Sequence, residues 1–81
     1  MEQNKATFIV DNYVEVQGVA DLGLVTAWLM CRSMLFVVEP WPAGRFRVYS
    51  RKDKKNELIE AIKIFGGKYE KLETDQWITI Q

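Results

Sequence analysis

Two hydrophobic periodicities alternate along this chain, and their order constrains the fold more than any other feature. The period of two that is typical of a half-buried strand occurs in residues 8–16 and 45–51. A helical period covers residues 54–65, an apolar helix covers residues 22–32, and a continuous apolar run covers residues 34–38. The order strand, helix, strand, turn, strand, helix predicts an α+β fold.

The first strand is predicted from alternate apolar residues. They are Phe8, Val10, Val14 and Val16, with Asn12 in the same phase. Asp11 and Asn12 leave a short hairpin open as an alternative, because both residue types tolerate turn conformations. One face of this segment should be buried in either case.

Each helix has a candidate cap. Asp21 is predicted to begin the first helix and Asp53 the second, because an aspartate side chain can accept from the free amides of a first turn. The first helix is apolar around nearly its whole circumference, so part of it is expected to face a partner. The second has a clear buried stripe and should end at Gly66 and Gly67. That stripe consists of Leu58, Ala61, Ile62 and Phe65.

The remaining elements are predicted to be strands joined by turns. Two prolines and a glycine place a turn at residues 40–44, between the strands 34–38 and 45–51. Residues 68–73 and 76–80 read as two short strands that form a C-terminal hairpin.

These elements predict one domain over residues 1–81 with a ferredoxin-like βαββαβ sandwich, extended by the C-terminal hairpin. Right-handed crossovers would place both helices on one face of an antiparallel sheet. The other face would be bare. We expect it to carry an apolar surface of Met34, Phe36 or Val38 together with Ile9 and Tyr13.

The composition argues against catalysis. The chain has no histidine, and Cys31 is its single cysteine, so it offers no internal disulfide and no nitrogen or multi-thiolate metal site. Cys31 is predicted to be a buried, inert thiol. We expect no enzyme activity, no cofactor and no metal, and a cytoplasmic location, since the first ten residues lack a secretory signal pattern.

The leading functional prediction is a small protein-interaction module. It would form a homodimer or bind another protein through its apolar sheet face or its first helix, with no role at a membrane. A large aromatic between two prolines would lose little entropy on binding. The predicted partner-binding residues are Trp41, Ile9, Tyr13, Phe36 and Trp28.

A nucleic-acid interface is the first alternative. Residues 45–55 hold six of the eleven basic residues, although the whole chain is neutral. The order of elements and the aromatic, basic third strand resemble the general plan of RNA binders that use a sheet surface, but the signature of outward aromatics beside glycines is missing. The candidate residues are Arg45, Arg47, Tyr49, Arg51 and Lys52. A small-molecule sensor, with its ligand between helices and sheet, is the second alternative.

Overall fold

The structure, a computed structural model, describes residues 6–80. Its elements are β1 (Ala6–Gln17), α1 (Gly18–Cys31), β2 (Phe36–Trp41), β3 (Arg45–Ser50), a 3₁₀ turn (Lys52–Lys54), α2 (Lys55–Phe65) and β4 (Lys68–Ile80). The predicted α+β class is confirmed, with four strands and two α-helices. Neither of these helices is long and apolar enough to cross a membrane.

The strands form one antiparallel sheet in the order β2-β3-β1-β4. β1 pairs with β4 along almost its whole length, from Ala6 to Glu15, but with β3 only from Val14 to Gln17. The long β1 and β4 strands therefore extend as a ribbon past the end of the shorter β2 and β3. Residues 8–16 lie in one strand, so the hairpin alternative is wrong.

The main core lies between the sheet and the helices. Val14, Val16 and Val48 of the sheet meet residues of both helices there, which places α1 and α2 on the same face of the sheet. The buried helix residues are Val25, Leu29, Leu58 and Ala61. The predicted stripe of α2 is confirmed, with Ile62 and Phe65 only partly buried.

A second, smaller cluster contains only strand residues. Phe8 and Val10 pack there with Tyr49, whereas Val14 and Val16 belong to the main core. The predicted period of two is confirmed, because Phe8, Val10, Asn12, Val14 and Val16 are all buried, but its apolar members divide between two clusters. The pairing with β4 changes register in the same part of the strand, between Val10 and Asn12.

Neither predicted aspartate cap forms. α1 begins at Gly18, which adopts φ +86° and donates its amide to the carbonyl of Gly44, so Asp21 lies inside the first turn. Asp53 lies in the 3₁₀ turn, where its carboxylate accepts from Arg51. Helix α2 then starts at Lys55 and ends at Phe65. Backbone geometry therefore replaces side-chain capping at the start of each helix: at the junction of β1 with α1, and at the 3₁₀ turn before α2.

The predicted turn begins later than expected. Pro40 and Trp41 belong to β2, where they pair with Phe46 and Arg45, and the turn covers only residues 42–44. A proline is compatible with this position because β2 is an edge strand, whose outer side has no strand partner within the described sheet.

The prediction of a C-terminal hairpin is also wrong. β4 is one strand from Lys68 to Ile80, because both of its halves pair with β1: Tyr69 lies opposite Val14 and Trp77 opposite Ile9. The turn-forming residues Thr74 and Asp75 fall within the register shift, where a bulge accommodates them without reversing the chain.

Candidate functional site

The outward face of α1 is apolar and uncharged. Its residues fall within an arc of about 140° at 3.6 residues per turn. Val19, Leu24 and Met30 are 74%, 51% and 65% exposed. We call the whole set the α1 surface: Val19, Ala20, Gly23, Leu24, Ala27, Met30 and Cys31, all of which are exposed. The prediction that α1 is apolar on more than its core side is confirmed.

The opposite side of α1 holds the helix against its own chain. Val25 and Leu29 are fully buried, and Trp28 is partly buried against the main core. The guanidinium of Arg32 lies 3.5 Å from the centroid of the Trp28 ring, which is a cation–π contact. Trp28, predicted as a partner-binding residue, is thus engaged within the fold on at least one ring face.

Small residues occupy the middle of the α1 surface. Ala20, Gly23 and Ala27 lie in the middle of the exposed arc, and the larger Val19, Leu24 and Met30 lie towards its edges. A Cβ atom built on Gly23 would meet nothing within 4 Å among the described residues. Another backbone could therefore approach α1 closely at this point.

Cys31 closes the α1 surface at its C-terminal end. Its side chain is exposed, so the prediction of a buried thiol is wrong. In the last turn of α1, Leu29 is the residue that faces the core. Cys31 points away from the core because residues two apart on a helix do not share a face. The thiol is therefore available as a probe of whether this surface becomes covered.

The bare sheet face differs from the predicted apolar surface. Met34, Phe36 and Val38 pack into the main core, so they face the helices and not the open side. Ile9 is half-buried opposite Trp77, on the part of β1 that precedes the register shift against β4. Tyr13 was also expected on this face, and it does lie there.

Arginine and aromatic side chains cover the open face. The Arg47 guanidinium lies between two rings, 3.7 Å from the Trp41 centroid and 4.4 Å from the Tyr13 centroid. Tyr13 also packs against Tyr49, with 5.5 Å between ring centroids. Trp41 remains 36% exposed. Each of these side chains contacts its neighbours, so the face is a packed polar and aromatic layer rather than an apolar surface needing a cover.

Tyr49, one of the predicted nucleic-acid-binding residues, packs against Tyr13 on the open face but is only 6% exposed. Its hydroxyl donates to Glu39 Oε1 at 3.0 Å. Burial raises the pKa of Tyr49 above its ordinary value of 10.0, and the hydrogen bond to Glu39 acts in the same direction. A buried ring with an occupied hydroxyl has little surface left for stacking on a base.

The Tyr49 environment predicts a loss of stability at alkaline pH. Because the folded-state pKa lies above the unfolded value, the contribution of this group is fully present below about pH 10 and is lost as the pH rises through the folded pKa. The phenolate absorbance of the folded protein should show one tyrosine that ionises late, and Tyr49→Phe should remove that transition. A variant with an unchanged alkaline titration would contradict this assignment.

Acidic partners lie against the basic strip formed by Arg45, Arg47, Arg51 and Lys52. Glu15 lies 3.6 Å from Arg45 and 3.7 Å from Arg47. Asp53 pairs with Arg51 at 3.2 Å, and Asp75 pairs with Lys52 at 2.9 Å. The strip is therefore less positive than its sequence suggests.

No metal cluster is found among the described residues, where no group of three histidine, cysteine or acidic side chains converges. Comparison with protein families, curated proteins and solved structures found no match to this chain.

Proposed function

We propose that this chain is a non-enzymatic protein-interaction module that pairs with a second copy of itself through the α1 surface. One observation carries the proposal: seven neighbouring exposed residues of α1 include no charged side chain. A solvated helix normally presents charged residues on its outer side. A contiguous apolar patch of this kind marks an interaction surface.

The geometry of α1 suits a symmetric pair of helices. Fourteen residues span about 21 Å at 1.5 Å per residue. In a two-fold contact the same patch is used by both subunits, so it must be complementary to itself. An uncharged surface meets this condition without electrostatic repulsion, and the small residues around Gly23 allow the two helices to cross closely.

The chemistry of the rest of the molecule supports the choice of a second copy as the partner. The chain is electrically neutral, with eleven basic and eleven acidic residues, so two copies do not repel each other through net charge. The interface would be small, because a single helix from each side buries less than the roughly 800 Å² per partner of a standard complex. We therefore propose a micromolar dimer rather than an obligate one.

The fold proposal is the ferredoxin-like plan. It is supported by the element order βαββαβ and by the position of β1 and β3 as the two central strands. Each helix connects two strands that are separated by one other strand, as in two interleaved βαβ units. In this plan the helices form an outer layer, which is why the α1 surface is left open. The cytoplasmic setting is likewise a proposal, and it is supported by the single cysteine, which offers no internal disulfide.

Nucleic-acid binding is less well supported. The ion pairs of Arg45 and Arg51 would have to open before either side chain could neutralise a phosphate, and Arg47 is held between two rings. The ring of Tyr49 is buried. A free stacking platform and unpaired cations are what a single-strand binder needs, and the strip provides little of either.

Sedimentation of the Leu24→Lys variant tests the proposal. Leu24 is half-exposed in one copy, so a lysine there should leave the fold intact but should place two charges in the interface of a symmetric dimer. Leu24 is already half-buried in one copy, so covering the rest of each leucine contributes about half of the 1.5 to 3 kcal/mol of full burial. Losing this contribution from both subunits should raise the dissociation constant by about tenfold or more. The wild-type chain should show a concentration-dependent monomer–dimer equilibrium at tens of micromolar.

Ile64→Lys is the matched control, because Ile64 is similarly exposed, at 54%, but lies on α2. It should leave the dissociation constant unchanged. A second readout is the rate at which Cys31 reacts with a thiol reagent, which should fall as dimer forms. A wild-type chain that is monomeric at these concentrations, or a dimer that Leu24→Lys leaves intact, would refute the α1 interface.

A further inference from the structure

A cavity of about 790 Å³ lies at the end of the sheet, away from the α1 surface. It exists because the β1 and β4 strands are 12 and 13 residues long, whereas β2 and β3 have six residues each. The first half of β1 therefore runs past the end of β3, and the 3₁₀ turn before α2 closes the other side. The volume lies within the range of small-molecule pockets, about 300 to 1,000 Å³.

Apolar side chains form one part of the cavity wall. Ile9 and Trp77, which are cross-strand neighbours on the β1–β4 ribbon, face Leu35 from the segment before β2. Trp77 is 70% exposed and Leu35 is 47% exposed. An exposed tryptophan beside an exposed leucine in a concave site is what an aromatic or aliphatic ligand body would cover.

Charged side chains of both signs form the other part. Arg51, Lys52 and Lys55 line the cavity together with Asp11 and Asp53. The Arg51–Asp53 and Lys52–Asp75 pairs are each about half-exposed, so they are weak and can exchange for a ligand anion.

Lys55 is the cation best placed to receive an anion. Within residues 6–80 no carboxylate pairs with it. It is the first residue of α2, an 11-residue helix whose N-terminal amides and dipole add to the positive potential.

We propose that this cavity binds a small organic anion with an apolar body, such as an aromatic or medium-chain carboxylate. The carboxylate would lie near Lys55 and Arg51, at the N-terminal end of α2. The body would cover Ile9, Leu35 and Trp77 on the ribbon side. This site is separate from the α1 surface, so it does not depend on the proposed dimer.

Three probes that share one ring system test the charge requirement: naphthoate, neutral naphthylmethanol and cationic naphthylmethylammonium. They are titrated into the Leu24→Lys variant, and binding is followed by the NMR shifts of the Trp77 indole and of the amides of Leu35 and Lys55. Naphthoate should shift these signals and saturate. Naphthylmethanol should bind more weakly and the cation weakest of all, because Lys55 attracts the carboxylate and repels the ammonium group.

Lys55→Gln separates the ion pair from the apolar contact. It should weaken naphthoate binding by about two- to fivefold, the effect of one partly exposed charge pair, and leave naphthylmethanol unchanged. Lys63→Gln, on an exposed position in the last turn of the same helix, is the matched control and should change neither. Shifts that appear on α1 instead, equal binding of the three probes, or no saturable shift at Trp77 would overturn the proposal.

Discussion

Replacing Leu58 by alanine is expected to lower the free energy of unfolding by about 2 to 4 kcal/mol, the usual cost of truncating a fully buried leucine. Leu58 has no exposed surface and lies in the main core between α2 and the sheet. The substitution removes its contacts within that cluster, which also contains Val14 and Val48. The close-packed surroundings should relax only partly into the space left behind.

The effect should be large relative to the total stability. A chain of 81 residues has a free energy of unfolding of about 4 to 12 kcal/mol at the usual value per residue. For a domain of this size, each kcal/mol lowers the melting temperature by about 4 to 8 °C. Thermal and urea denaturation of Leu58→Ala should therefore show a clearly earlier transition.

Ile64→Ala is the matched control for this prediction. Ile64 lies on the same helix but is 54% exposed, so its truncation should change the free energy of unfolding by less than about 1 kcal/mol. Ile62→Ala should fall between the two, because Ile62 is only partly buried. If Leu58→Ala were no more destabilising than Ile64→Ala, the assignment of the buried face of α2 would be wrong.

The buried face of α2 could be predicted from the sequence because its hydrophobic period is local. Leu58 and Ala61 repeat at helical spacing, and the polar residues Glu60 and Lys63 occupy the exposed side. Such a pattern depends on one helix packing against one surface. The α+β class could be predicted from the same kind of local information, since the sequence of each helix and strand has the hydrophobic period of that element.

The division of β1 between two clusters could not be predicted in the same way. Phe8 and Val10 have the same phase as Val14, and nothing in the chemistry of these residues indicates that they belong to a different cluster. The change of cluster accompanies a register shift against β4, a strand more than fifty residues away in sequence. A register shift against a distant strand is a tertiary property, which a local period of two does not reveal.

The same difference between local and tertiary information applies to the candidate surfaces. The apolar outer side of α1 was evident because a helix that lacks charged residues cannot be buried on every side in so small a chain. The sheet face was misjudged because Phe36 and Val38 face the helices instead. On the open face, Arg47 lies against the rings of Trp41 and Tyr13. The cavity beside Trp77 arises from the unequal lengths of paired strands, which the sequence alone does not reveal.

Gly67→Ala is expected to be the most destabilising single methyl addition in this chain, with a loss of about 3 kcal/mol or more. Gly67 adopts φ +129°, a conformation that residues with a Cβ atom rarely adopt. An added Cβ would also lie 2.8 Å from the backbone oxygen of Glu15. That oxygen belongs to a central strand, where Glu15 pairs with Lys68 on one side and Arg47 on the other, so it cannot easily move away.

Gly66→Ala separates the two causes, because Gly66 also has a positive φ, of +87°, but a Cβ there would meet nothing within 4 Å among the described residues. Its substitution should cost only the conformational strain, about 1 to 3 kcal/mol. The excess for Gly67→Ala is the steric contact with the central strand, for which overpacking in a tight site adds about 1 to 3 kcal/mol. Urea denaturation of both variants measures the difference. Equal losses would mean that β1 yields at Glu15, and the close approach of the α2–β4 connection to the centre of the sheet would then not constrain the fold.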